Sequence, residues 1–180
     1  MKEGFIFMIC CVTGHRPSGF PFSREENNIA YMFYINRLYD EIQNLIGEGY
    51  RNFITGMAEG ADIDFARAVL YYRDIELNVT LEAAMPYPIN YPKRTSEYID
   101  ERNDIFSACD KKTIVSEHYY RGCMQKRNCY MVDKADIVLA IWNGKCAGGT
   151  WNTIKYARSK GKKIIYIMLN DFLNNTQALV

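Results

Sequence analysis

Six short apolar segments, each followed by enough residues for a helix, constrain this chain more than any other feature. They are "FIFMICCV" (5–12), "RNFIT" (51–55), "NVTLEAAM" (78–85), "KKTIVSE" (111–117), "DIVLAIW" (136–142) and "KKIIYIML" (162–169). Strands separated by a dozen or more residues of helix cannot return as hairpins. They cross over and pair in parallel, with right-handed connections. Strands buried on both faces read as continuous apolar runs, as "DIVLAIW" does. The pattern therefore predicts an α/β fold, a doubly wound and mostly parallel sheet of about six strands with helices on both faces.

The intervening segments carry helix signals. Ser23 opens "SREE", with Glu26 three residues on, which has the form of a capping box. Ile35, Leu38, Ile42, Leu45 and Ile46 then recur at helical spacing until Gly47 or Gly49. Further helices are expected over 61–73, 93–109, 122–134 and 148–161. Glu82 sits awkwardly in a strand buried on both faces, and the tail "NDFLNNTQALV" reads as peripheral. No linker, repeat or low-complexity tract interrupts the alternation, so residues 1–180 are expected to form one domain.

Charge and cysteine content narrow the function classes. A net charge of +1 argues against a protein whose main task is gripping a nucleic-acid backbone. No run approaches the ~20 apolar residues of a membrane span. The N-terminal apolar run is short, is preceded by Glu3 and ends at Gly14-His15-Arg16, unlike a signal peptide. The six cysteines form no C-x-x-C pair and read as reduced thiols of a cytoplasmic protein. His118, Cys123 and Cys129 match no familiar zinc spacing, so no metal is expected.

Three Gly-rich junctions follow predicted strands: "TGHRPSG" (13–19), "TGMAEGAD" (55–62) and "NGKCAGGTWN" (143–152). In a parallel sheet the C-terminal strand ends share one edge, where open α/β sheets hold ligands. Glycine permits close backbone approach, and free N–H groups at a helix start favour an anion such as phosphate. None of the three is a G-x-G-x-x-G fingerprint, and the chain has no P-loop. A phosphate site here is built differently, and no resident cofactor is expected.

"TGHRP", "TGMAEGAD", "RNCYMVDKADIVLAIWNG" and "GGTWNTIKYARSKGKKI", in that order, resemble the YpsA-like family of the SLOG superfamily. That superfamily includes DprA and the Lonely-guy phosphoribohydrolases. The resemblance covers nearly the whole chain, least well over 87–100 and the tail. It implies a Rossmann-like core with a cavity for a nucleotide or nucleotide-derived ligand, ADP-ribose and NAD derivatives among the candidates. It also implies which residues would line that cavity: Thr13, Gly14, His15 and Arg16, then Gly56, Gly60, Ala61 and Asp62. Arg127 and Asn128 would come from the fourth helix, and Gly148, Gly149, Thr150 and Asn152 from the last loop. Lonely-guy enzymes carry P-G-G-x-G-T-x-x-E, whose Glu acts on the ribose–base bond. Here Thr153 stands at the Glu place and the Pro-Gly is missing.

Individual roles stay open at this level. Arg16 could pair with a surface carboxylate or with phosphate, and Asp62 could cap a helix or contact a ribose hydroxyl. His15 could be a general acid or base, a donor to ribose, or a strand-end cap. Arg127 and Asn128 could belong to a solvated basic face. Three functions compete: a nucleotide-ligand sensor or regulator, an N-glycosidic hydrolase related to Lonely-guy enzymes, and a DprA-like single-stranded DNA binder. The missing Glu places the first ahead of the second. The lack of a clear basic-aromatic stripe disfavours the third. An aromatic-rich first helix, together with the dimers common in the superfamily, predicts a homodimer.

Overall fold

The computed structural model describes residues 7–75, 78–88 and 97–174. Six strands form one all-parallel sheet: β1 (Met8–Gly14), β2 (Tyr50–Thr55), β3 (Thr80–Met85), β4 (Lys111–Ile114), β5 (Ile137–Trp142) and β6 (Lys163–Met168). Their order is β4-β3-β2-β1-β5-β6. The chain winds outward from β1 to β4, then returns to the other side of β1 through β5. The order thus reverses between β1 and β5, where Thr13 and Gly14 pair with Ala140 and Ile141. This is a Rossmann-like doubly wound sheet, as the alternation predicts.

Adjacent residues on each central strand feed opposite faces. Cys10, Val12, Phe53 and Leu139 join the larger core with α1 (Ile29–Gly47), α2 (Ala61–Ile75) and α3 (Glu97–Ala108). Cys11, Ile54 and Val138 join a smaller core with α4 (Cys123–Lys134) and α5 (Gly148–Ser159). All six cysteines are free thiols, and Cys10, Cys11, Cys109 and Cys123 are buried.

Several boundaries differ from expectation for physical reasons. β1 begins at Met8 and runs through Gly14, two residues past the expected end, because β5 continues to pair with it. Residues 5–6 of the expected strand and 93–96 of the expected third helix lie outside the described residues. The long first helix does not start at the "SREE" box. Its cap is Asn28, whose Oδ1 accepts from the Tyr31 N–H at 3.0 Å. Ser23 Oγ instead accepts from the Glu25 N–H at 3.3 Å, in a short local turn. The segment before the cap is held by tertiary contacts. Phe20 and Phe22 pack edge-on or tilted against Tyr34, and Phe172 joins them. Phe172 sits in α6 (Asp171–Asn174), so the start of the tail belongs to the core.

Glu82 also finds its reason. It lies on β3 beside the short edge strand β4, where Lys111, Thr113 and Tyr130 donate to its carboxylate at 2.8, 2.8 and 2.5 Å. These bonds outweigh burial and hold its pKa below the usual glutamate value. β4 ends at Ile114 rather than 117.

Candidate functional site

Loops following β1 and β2 meet at the strand-order reversal because their backbones approach each other closely. The Ala61 N–H donates to His15 O at 3.1 Å. Gly60 has φ +96°, and a Cβ there would press on His15 O and Arg16 Cα. Gly14 packs against Ala61 and Ile141 with no room for a side chain. Gly14, Gly60 and Ala61 therefore join the two loops to each other.

The second loop is wired by its own polar groups. Thr55 Oγ1 donates to Asp62 O at 2.9 Å and accepts from the Met57 N–H at 3.2 Å. Asp62 Oδ2 accepts from the Ala58 N–H at 3.2 Å, which holds Met57 in the left-handed region at φ 57°. Burial raises the Asp62 pKa, and Arg127 acts against that rise. Asp62 does cap the loop, and it also lines the cleft described next.

That cleft, about 290 Å³, opens at the C-terminal ends of β1 and β5. Nine of the fourteen expected residues line it: Thr13, Gly14, His15, Arg16, Asp62, Arg127, Asn128, Gly149 and Thr150. Gly56 lines a smaller adjoining space. Gly60 faces a separate hollow of about 740 Å³ between α1, α2 and α3, and Ala61 is buried beneath the loops. Gly148 and Asn152 are exposed and line neither the cleft nor the adjoining space. The larger hollow is not where the loop ends converge. Of its charged wall residues, Arg24, Arg67 and Glu101 are engaged in ion pairs.

The start of α5 forms one wall of the cleft. Thr150 Oγ1 donates to Gly14 O at 2.9 Å, fixing the helix to β1. Asn128 Nδ2 donates to Thr153 Oγ1, which in turn donates to Gly149 O, both at 2.9 Å. Thr153, at the place of the Lonely-guy Glu, is thus a buried brace between α4 and α5. With the first N–H groups of a twelve-residue helix at the rim, this wall is suited to negative charge.

Arg127 supplies the opposite wall. Its side chain is only 7 % exposed. Nη1 donates to Gly56 O and, at 3.4 Å, to Ala84 O, and lies 3.9 Å from Asp62 Oδ2. Gly56 is required there, since a Cβ would occupy the space of the guanidinium. Arg127 Nε is buried with no hydrogen-bond partner among the described residues. Burial lowers the Arg127 pKa, Asp62 opposes the change, and Arg16 and Arg102 add to it. His15 Nε2 is likewise buried without a partner among the described residues. Burial keeps the His15 pKa below 6.5, with Asn143 opposing and Lys145 adding to the effect.

Two residues here are absent from the fourteen expected, although Asn143 opens the third Gly-rich junction. Asn143 bridges to the first loop, its Nδ2 donating to Gly19 O at 2.9 Å. Arg102 on α3 is buried, and its Nε donates to Met57 O at 3.0 Å. The signal for Arg102 was present: it stands between Ile99 and Ile105, at helical spacing on the apolar face of its helix.

A sequence model of the YspA SLOG family matches residues 10–172. The chain belongs to that family. No curated protein matches this SLOG member. Among solved structures it is similar to DNA processing protein A (DprA) from Streptococcus pneumoniae, with a TM-score of 0.60 and 16 % identity. The match covers 89 % of this chain and 50 % of the DprA chain, so the chain spans about half the length of that protein. At this identity the likeness bears on fold alone. No described helix is long and apolar enough to cross a membrane, and the described residues contain no group of three or more His, Cys, Asp or Glu placed to hold a metal.

Proposed function

We propose that this SLOG protein binds a nucleotide or nucleotide-derived ligand, with an adenine nucleotide or ADP-ribose as the first candidates, and acts as a sensor or regulator. One observation carries the reading. Arg127 is a nearly fully buried guanidinium whose Nε has no partner among the described residues, in a cleft faced by the N-terminal end of α5. A buried donor without an acceptor is costly, and a phosphate oxygen is the acceptor whose charge and geometry suit it. Arg16, exposed at the rim, supplies a second charge.

Hydrolysis is the weaker reading. Asp62 is the one carboxylate among the described residues lining the cleft, and it is engaged by the Ala58 N–H and beside Arg127. Single-stranded DNA is the third, prompted by the DNA processing protein that shares the fold. A homodimer is proposed through α1, where Ile29, Met32 and Phe33 leave an apolar strip exposed that a second copy can cover with its own. Light scattering at micromolar concentration tests it, and a monomer there refutes it. The free thiols suit a cytoplasmic setting.

The deciding experiment is thermal unfolding with a panel of AMP, ADP, ADP-ribose, NAD and a short single-stranded oligonucleotide. A nucleotide that binds only the folded state raises Tm by mass action. A shift with the oligonucleotide alone favours the DNA reading, and no shift across the panel removes the nucleotide reading.

A further inference from the structure

Beyond the cleft wall formed by Arg16 and Arg127 lies a second space of about 200 Å³. It is lined by Arg16, Arg102 and Arg127, with Met57, Met85, Pro86 and Met124 completing much of its wall. Arg16, Ala58, Met124 and Arg127 line both spaces, so the two are lobes of one cavity divided by two arginines.

We propose that the second lobe takes the outer phosphate of a diphosphate ligand, with Arg102 as the residue that selects a diphosphate over a monophosphate. The inference rests on the nucleotide reading of the first lobe. Its basis is charge. Among the described residues three guanidiniums line the lobe, with the half-exposed Glu59 on its wall and the buried Asp62 beside Arg127 as the carboxylates. Arg16 and Arg102 stand close enough to Arg127 to disfavour its charged form, a repulsion that an anion between them relieves.

The walls add to this. Methionine and proline side chains exclude water without competing as strong acceptors, so an anion entering the lobe meets guanidinium groups in a low-dielectric setting. Arg102 also has a structural duty, since its Nε holds Met57 O and its Nη2 lies 3.6 Å from the Met85 sulfur. That bond places the guanidinium against the lobe. A phosphate on the dividing arginines belongs to both lobes, and a second phosphate one bridging oxygen further reaches the Arg102 side. A monophosphate leaves that lobe without an anion.

The test compares AMP, ADP and inorganic pyrophosphate by calorimetry and thermal unfolding. Charge-assisted contacts of this kind change affinity by roughly 10- to 100-fold, and ADP should exceed AMP by that order in the native protein. Arg102→Met keeps the length of the stem and should reduce the preference to ~3-fold or less, while Arg102→Lys should retain part of it. A loss shared equally by AMP and ADP in Arg102→Met would show that Arg102 only braces the loop, and would overturn the proposal.

Equal binding of AMP and ADP by the native protein overturns the second lobe and leaves the nucleotide reading intact, with no variant needed. If neither nucleotide binds, the nucleotide reading fails. In that case a Tm rise with pyrophosphate that Arg102→Met removes still supports the lobe, and no rise overturns it as well.

Discussion

Asp62 and Asp64 are two buried carboxylates in the first turn of α2, two residues apart, in opposite circumstances. Asp64 is fully enclosed and satisfied. Arg24 donates to it at 2.6 Å, Tyr31 and Tyr34 at 3.2 Å each, and Arg67 lies at 3.6 Å. Asp62 has the Ala58 N–H at 3.2 Å and Arg127 at 3.9 Å, and the guanidinium beside it still has an unpartnered Nε. Burial raises both pKa values, with arginines acting against the rise. One network is closed and holds α1, α2 and the segment at Arg24 together. The other lacks an acceptor among the described residues, and it is the one that lines the cleft.

Breaking the closed network should produce the largest effect. Asp64→Ala leaves Arg24 and two tyrosine hydroxyls without their acceptor and should cost about 3 kcal/mol of stability, read from urea unfolding. Added ADP should not restore this difference, because no lobe touches the site. Asp62→Asn keeps an acceptor for the Ala58 N–H and should cost less, about 1–2 kcal/mol. It also removes the charge beside Arg127, so ADP should raise Tm more in Asp62→Asn than in the native protein. Equal losses, equally insensitive to ADP, would erase the distinction between the two carboxylates.

Arg16→Ala comes next. Arg16 is exposed, so unliganded stability should stay within ~0.5 kcal/mol of native. Losing one charge-assisted phosphate contact should weaken ADP roughly 10- to 100-fold and remove most of its Tm rise. A full Tm rise in Arg16→Ala would place the anion elsewhere.

How much of this was legible in the sequence depends on whether a feature is local or tertiary. Strands buried on both faces announce themselves as apolar runs, so "DIVLAIW" gave away β5 and the alternation gave away the parallel sheet. The meeting of the strand-end loops followed from parallelism alone. The start of α1 differs from the "SREE" expectation because that box satisfies a local rule, while Phe20, Phe22 and Phe172 fix the segment through contacts that a local rule cannot register. Arg102 escapes for a similar reason. Ligand motifs are sought in loops, whereas this side chain enters the site from the apolar face of a helix. The glycines were legible, but their neighbours were not. Gly14 and Gly60 face protein at close range, whereas a Cβ on Gly149 would meet nothing within 4 Å.

That difference makes Gly149 the cleaner probe of the α5 wall. Its φ is outside the left-handed region and the space around it is open, so Gly149→Val should fold with unliganded stability near native. If a phosphate sits against the first N–H groups of α5, the branched side chain takes its place and affinity should fall ~10-fold. Thr150→Ser keeps the hydroxyl that donates to Gly14 O and should change affinity much less. Calorimetry beside urea unfolding separates the outcomes. Intact ADP binding in a folded Gly149→Val protein would move the anion off this wall, leaving the arginine side alone.

The smallest expected effect is a pH dependence at His15, which tests whether the cleft holds a neutral imidazole. Its folded pKa lies below 6.5 because burial disfavours the cation, with Lys145 adding to this and Asn143 opposing it. As pH falls from 6.5, the unfolded chain takes up the proton before the folded one. The stabilisation is therefore whole above about 6.5 and is lost as pH falls through the folded pKa. Asp62 and Asp64, whose folded pKa values are raised, contribute in the opposite direction at lower pH. The native protein should consequently be compared with His15→Gln, in which those contributions cancel. Urea midpoints between pH 8 and 5 should fall more steeply in the native protein. With ADP bound the sign should reverse. A phosphate in the cleft favours the imidazolium, so the native protein should gain ADP affinity relative to His15→Gln as pH drops from 7 to 6. Parallel midpoint curves without ligand would show that His15 is not held neutral by the fold. A parallel affinity profile would show that it does not face the phosphate.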